Sequence, residues 1–120
     1  MNFEHTQKTK DLIVQVSNFI DQKIKPKEAE YTQAMNSFRE SGNPWQVPEV
    51  LYDLKTEAKA EGLWNFSLTG DEGYGLTNLE FAPLAEMMGV GWTSEVFNSS
   101  APDAGNMEVL DKYGSDYQKE

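Results

Sequence analysis

LTNLEFAPLAEMMG, residues 76–89, decides how this chain is read. Thr77 and Glu80 stand in capping-box order: the hydroxyl accepts from the third backbone N–H, and the carboxylate reaches back to the first. Phe81, Leu84, Ala85 and Met88 then fall on one helical face, and Gly89 is a natural stop. The spacing predicts a helix over 78–88. Pro83 lies inside it and removes one backbone donor, so a kink or a loosened first turn is expected.

The same period runs outward in both directions. Leu12, Ile13, Val16, Phe19, Ile20 and Ile24 mark an amphipathic helix over about 6–25, with Pro26 as its expected end. A second helix begins near 26–28, carries Tyr31, Ala34, Met35 and Phe38 on its apolar side, and ends at Ser41-Gly42-Asn43-Pro44. A third starts with Pro48 at its first position, turns Leu51, Leu54 and Ala58 inward, and ends at Gly62. Trp64, Phe66 and Leu68 alternate with Asn65 and Ser67, the pattern of a short extended segment. The stretch 69–75, TGDEGYG, is a glycine-rich turn. Beyond residue 89 a short helix is expected over 94–98. Another, capped by Asp103, runs to Tyr113 through Met107 and Leu110. A last capping box, Ser115 with Gln118, opens a helix just before the chain ends. The fold class is therefore all-α, a bundle of about six helices in one domain over 1–120.

Composition narrows the function. The chain has 120 residues, 38% hydrophobic and 12% aromatic, enough for a core. A net charge of −10 argues against nucleic acid, whose phosphates select for excess Lys and Arg. No run approaches the roughly 20 apolar residues of a membrane span, and no secretory leader pattern opens the chain. With no cysteine there is neither a disulfide nor a thiolate metal site, and the cytoplasm is the default compartment.

Catalytic machinery does not emerge from pattern alone. His5 is the only histidine and lies near the N-terminus, a poor base for a triad. Gly70, Gly73 and Gly75 give G-x-x-G-x-G, which is not the dinucleotide spacing, and no strand precedes it. Asp71, Glu72 and Asp103 lack calcium-loop spacing, and surface solvation explains them better. Glu80 has a capping role and Glu86 a solvated face, so no carboxylate pair is set out as acid and base. Trp45, Trp64, Trp92 and Phe97 are read as packing groups ahead of ligand-stacking ones.

Three runs carry a family resemblance: GLWNFSL (62–68), GYGLTNLEFAPLAEMMG (73–89) and EVFNSSAPDAGNMEVLDKYGSDYQKE (95–120). They resemble the N-terminal α-helical domain of flavin-dependent acyl-CoA dehydrogenases, with residues 1–44 similar in pattern only. The resemblance implies a larger parent in which a β-domain and a C-terminal helical domain follow, so the chain is expected to be a fragment, inactive by itself. It implies α,β-dehydrogenation of an acyl-CoA thioester to the trans-2-enoyl-CoA. FAD and the base would be held mainly by the later domains, and no residue here is assigned as catalytic, cofactor-binding or metal-binding. It also implies an electron acceptor such as an electron-transfer flavoprotein, a homo-oligomer, and a mitochondrial-matrix location in a eukaryote. By the same resemblance Val96, Phe97, Ser100, Ala101 and Ala104 form part of the acyl-pocket wall, with Asn106 and Met107 nearby and Tyr74-Gly75 at the entrance. For Ala101 and Ala104 a pocket wall and ordinary helix packing remain equally open. Loss of the other domains is expected to bare apolar surface near Trp92, Phe97 and Met107 and to drive self-association. The alternative is a free-standing acidic helical module that binds a protein partner.

Overall fold

A computed structural model describes residues 3–70 and 73–119, and among these every regular element is helical. Helix α1 spans Gln7–Phe19 and α2 spans Glu28–Glu40. Between them lie a π turn, Ile20–Ile24, and a 3-10 turn, Lys25–Lys27. Pro26 therefore does not end the first helix in an extended residue. Lys25, before it, keeps helical angles (φ −54°, ψ −43°). The physical reason lies one turn earlier, where the π turn shifts bonding by one residue and the Lys25 N–H donates to the Ile20 carbonyl. The widened turn takes up the ring and the missing donor that would disrupt regular α-helix.

Helix α3 (Glu49–Ala60) has Pro48 as its N-cap, one position before the place expected, and buries Val50, Leu51, Leu54 and Ala58. Gly62 follows with φ +75°, the left-handed conformation that stops the helix. Helix α4 (Asn78–Met88) has the full capping box of Thr77 and Glu80 and continues without a break through Pro83. The carbonyl deprived of a donor belongs to Leu79, which is 52% exposed. Short α5 (Thr93–Val96), α6 (Asp103–Tyr113) and α7 (Asp116–Lys119) complete the order. Pro102, not Asp103, occupies the N-cap of α6, and Asp103 is its first helical residue. Before α7, the Gln118 side chain accepts from the Ser115 N–H as expected. The Gln118 N–H, however, donates to the Ser115 backbone carbonyl and not to its hydroxyl. Only half of that capping box forms.

The alternating stretch 64–68 is not extended either. Asn65 takes φ +58°, and the Leu68 N–H closes a turn onto its carbonyl. A left-handed residue in the middle breaks the two-residue period, so Leu63, Asn65, Phe66 and Leu68 are all buried.

The core draws on α1, α3, the 63–68 connection, α4 and α5. Val16, Ala58, Leu84, Val96 and Phe97 are wholly enclosed. Helix α1 lies against α4, and α3 against α5. Helix α2 has no fully buried residue, so the sequence stripe of Tyr31, Ala34, Met35 and Phe38 is only half-buried. Its Tyr31 ring stacks on Trp92 at 4.1 Å and 2° between planes. Helix α6 also has no buried residue. The radius of gyration is 15.8 Å, above the about 14 Å expected of a compact domain of this length, because peripheral helices stand away from the core.

Phe97→Ala empties a site closed on all sides. It should lower the unfolding free energy by about 3–5 kcal/mol, read from urea denaturation.

Candidate functional site

The residues singled out from sequence surround the break between α5 and α6. Phe97 caps α5, and Asn98 turns the chain with φ +53°. The Ser99 N–H donates to Ser94 O at 2.9 Å, and the Ala104 N–H donates to Ser100 O at 2.9 Å, so both ends of the break are hydrogen-bonded. Ser100 and Ala104 are half-buried, and Ala101 is exposed. Val96 and Phe97 are 0% exposed. Phe97 meets Phe19 edge-on at 5.5 Å and Phe66 at 6.1 Å. The five residues thus split in two. Ser100, Ala101 and Ala104 present a small-residue surface, while Val96 and Phe97 lie behind it with their apolar area already used in the core. Phe97 offers no free face to an alkyl chain as it stands, a correction to the sequence expectation.

Asn106 is exposed, and the Met107 Sδ accepts from Asn98 Nδ2 at 3.1 Å. Asn98 Nδ2 also donates to Asn65 Oδ1 at 2.7 Å, and the Asn65 N–H donates to Phe97 O at 3.2 Å. Sequence reasoning missed this pair. The usable signal was asparagine itself, since it tolerates positive φ better than other residues with a Cβ.

The loop at 73–76 is fastened rather than open. The Tyr74 hydroxyl donates to the Gly62 carbonyl, its ring leans on Phe66 at 4.8 Å, and Lys8 Nζ donates to the Tyr74 carbonyl at 2.8 Å. Burial raises the Tyr74 phenol above its ordinary pKa. Asp71 and Glu72 lie outside the described residues. His5 is exposed.

Of the aromatic groups, Trp92 and Phe97 are buried, Trp64 is half-buried with Lys59 Nζ 5.8 Å from its ring, and Trp45 is 90% exposed. The bare apolar surface therefore does not include Trp92 or Phe97. It includes Val109, Leu110, Tyr113 and Tyr117 on α6 and α7, Trp45 and Val47, and Val90 two residues before Trp92. The sequence alone could not place it, because burial of Trp92 depends on Tyr31, sixty-one positions earlier.

A cleft of about 250 Å³ lies between the π turn and the α4–α5 connection, floored by Ile20, Ile24, Met87, Val90 and Trp92. It is separate from the α5–α6 break. A more polar cavity of about 300 Å³ has Ser67, Asn78, Glu108 and Asp111 on its walls.

Neither the Gly73 turn nor the α4 N-terminus offers a cradle for FAD's pyrophosphate. A Cβ on Gly73 would meet Leu68 O at 2.1 Å, so that glycine serves close packing within the turn and not a phosphate cradle. The N-terminus of α4 is already engaged by Glu80, whose carboxylate accepts from the Thr77 N–H at 2.9 Å and from the Thr6 hydroxyl at 3.1 Å. No group of three or more His, Cys, Asp or Glu able to hold a metal occurs among the described residues. No helix among them is long and apolar enough to cross a membrane.

No family profile matches the chain. Individual proteins do. A putative acyl-CoA dehydrogenase from Mycobacterium abscessus superposes with a TM-score of 0.85 at 41% identity, over 97% of this chain and 30% of that one. This chain is homologous to a segment of acyl-CoA dehydrogenases. Acyl-CoA dehydrogenase family member 10 of Mus musculus is 46% identical over 115 residues, covering 90% of the chain and 10% of that protein. Probable acyl-CoA dehydrogenase FadE2 of Mycobacterium tuberculosis is 38% identical over 125 residues, covering 99% of the chain and 29% of its own length. The chain thus spans between a tenth and a third of the acyl-CoA dehydrogenases it matches. The all-helical class read from sequence agrees with this likeness.

Hydrogen bonds from the Thr77 backbone and hydroxyl, then from Thr6, hold the Glu80 carboxyl below its ordinary pKa of 4.5. A carboxyl depressed in the folded state adds stability above its unfolded pKa, and that stability disappears as pH falls through the folded value. Glu80→Gln keeps the capping geometry but removes the titration. The variant's stability should therefore fall less steeply than the parent's as pH drops below 4.5, measured as urea midpoints across an acid series.

Proposed function

We propose that this chain is the N-terminal helical domain of an FAD-dependent acyl-CoA dehydrogenase, and that Ser100, Ala101 and Ala104 form part of its acyl-pocket wall. The observation that carries the reading is the likeness to the Mycobacterium abscessus protein over 97% of the chain, at 41% identity. The parent reaction removes a proton from the α-carbon and a hydride from the β-carbon of an acyl-CoA, leaving the trans-2-enoyl thioester. Bound FAD supplies the hydride acceptor. The base and the flavin site would come from parts of the enzyme other than these residues, so this chain alone would be inactive. Its own contribution is shape and dryness. Ser100, Ala101 and Ala104 leave room for an alkyl chain, and the sealed layer of Val96 and Phe97 behind them keeps water from entering that way.

The exposed side of α6 and α7 supports the same reading. Val109, Tyr113 and Tyr117 are 58%, 81% and 86% exposed, a surface suited to a neighbouring domain or a second copy. It equally suits the alternative of an acidic module that binds a protein partner.

Flavin separates the two. The natural protein carrying this chain should purify with flavin absorbance that bleaches on addition of an acyl-CoA. A colourless protein indifferent to acyl-CoA would favour the interaction module. In the active enzyme, Ala104→Leu should raise KM for longer acyl chains roughly tenfold relative to shorter ones, since one or two methylenes of pocket space discriminate at that level.

A further inference from the structure

We infer that Asn98 is a positioning residue that sets the α5–α6 break, and so the proposed acyl-pocket wall, through a single side-chain amide. The inference rests on the pocket-wall reading above and adds to it the group that fixes the wall's place.

The amide nitrogen has two N–H donors, and two acceptors meet it. One hydrogen bond goes to Asn65 Oδ1 at 2.7 Å and the other to Met107 Sδ at 3.1 Å. Asn65 lies in the connection after α3, thirty-three positions away, and is itself buried. Met107 lies on α6, nine positions further on. The second bond therefore closes the chain from 98 to 107 into a loop, and Ser100, Ala101 and Ala104 all sit within it. The first bond ties that loop to the core. A backbone bond from the Asn65 N–H to Phe97 O at 3.2 Å runs beside it.

Local backbone bonds alone do not locate the loop. The Ala104 N–H to Ser100 O and the Asn106 N–H to Pro102 O bonds, at 2.9 and 3.1 Å, stay within the segment itself. Helix α6 has no fully buried residue, and its Met107 is half-buried. The Asn98 amide is thus the side-chain link from both the core and α6 to the break. The residue type follows from the backbone too. With φ +53° at Asn98 and +58° at Asn65, both positions need a residue that accepts left-handed geometry. Glycine meets that need but has no amide. Asn98→Gly therefore removes the two side-chain bonds while sparing the turn, and Met107→Leu removes one acceptor at nearly constant volume.

The test uses two readouts. Hydrogen exchange on the chain in Asn98→Gly should quicken at the Ala104 and Asn106 amides by about tenfold, from local opening, while the Leu63 amide at the end of α3 stays as in the parent. Met107→Leu should give a smaller rise at the same two amides. Unchanged exchange at both, or a rise shared equally by Leu63, would overturn the inference. In the flavin-containing enzyme, Asn98→Gly should raise KM for acyl-CoA about three- to tenfold with kcat within about twofold, because the wall binds without taking part in bond breaking. Local exchange with an unchanged KM would leave the clasp standing but overturn its positioning role and the pocket-wall reading beneath it.

Discussion

Three phenylalanine rings from distant parts of the chain hold this structure together. Phe97 meets Phe19 at 5.5 Å and Phe66 at 6.1 Å, with planes crossed at 62° and 55°. Tilted contacts of this kind set the positive edge of one ring toward the negative face of another. Their larger effect here is topological. Phe19 ends α1, Phe66 lies in the turn after α3, and Phe97 caps α5. The rest of the interior fills the space among those three points. Val16 lies one helical turn before Phe19, and Leu63 and Val96 flank the other rings.

That constraint decides what remains outside. With Phe97 held in the centre, the chain leaves the core at Asn98 and reaches the surface at Ala101. The small residues of the break become accessible because the large one before them is not. Helix α6 then runs along the outside with all of its residues half-buried or exposed. Helix α2 is peripheral for a different reason. It joins α1 through continuous π and 3-10 turns and is pinned by the Tyr31–Trp92 stack, while a Lys23–Glu57 ion pair at 2.8 Å ties the preceding π turn to α3. The ion pair is nearly half exposed on both sides and adds little, so the aromatic stack is the main anchor.

Much of this fold is legible in the sequence. Helices α3 and α4 are marked by apolar spacing and by chemistry at their ends, and both lie within a residue of where those signals place them. The sequence is less informative where geometry departs from the common choice. Lys25 stays helical before a proline because a π turn precedes it, and no residue pattern announces that turn. Asn65 interrupts an apparent two-residue alternation by turning left-handed. At the candidate site, the family resemblance singles out residues between 96 and 104, but periodicity could not divide them into a buried pair and a more accessible trio. That division comes from tertiary contacts of Phe97 with residues seventy-eight positions before it and thirty-one before it. The Asn98–Asn65 bond is equally long-range.

The most direct test of the account is photolabelling of the flavin-containing protein that carries this chain, with an acyl-CoA bearing a diazirine in its alkyl tail. Peptide mapping should place the adducts within residues 100–104, and excess unlabelled acyl-CoA should abolish them. Adducts confined to other segments, with none in 100–104 at any tail length, would contradict the assignment of this break to the acyl pocket.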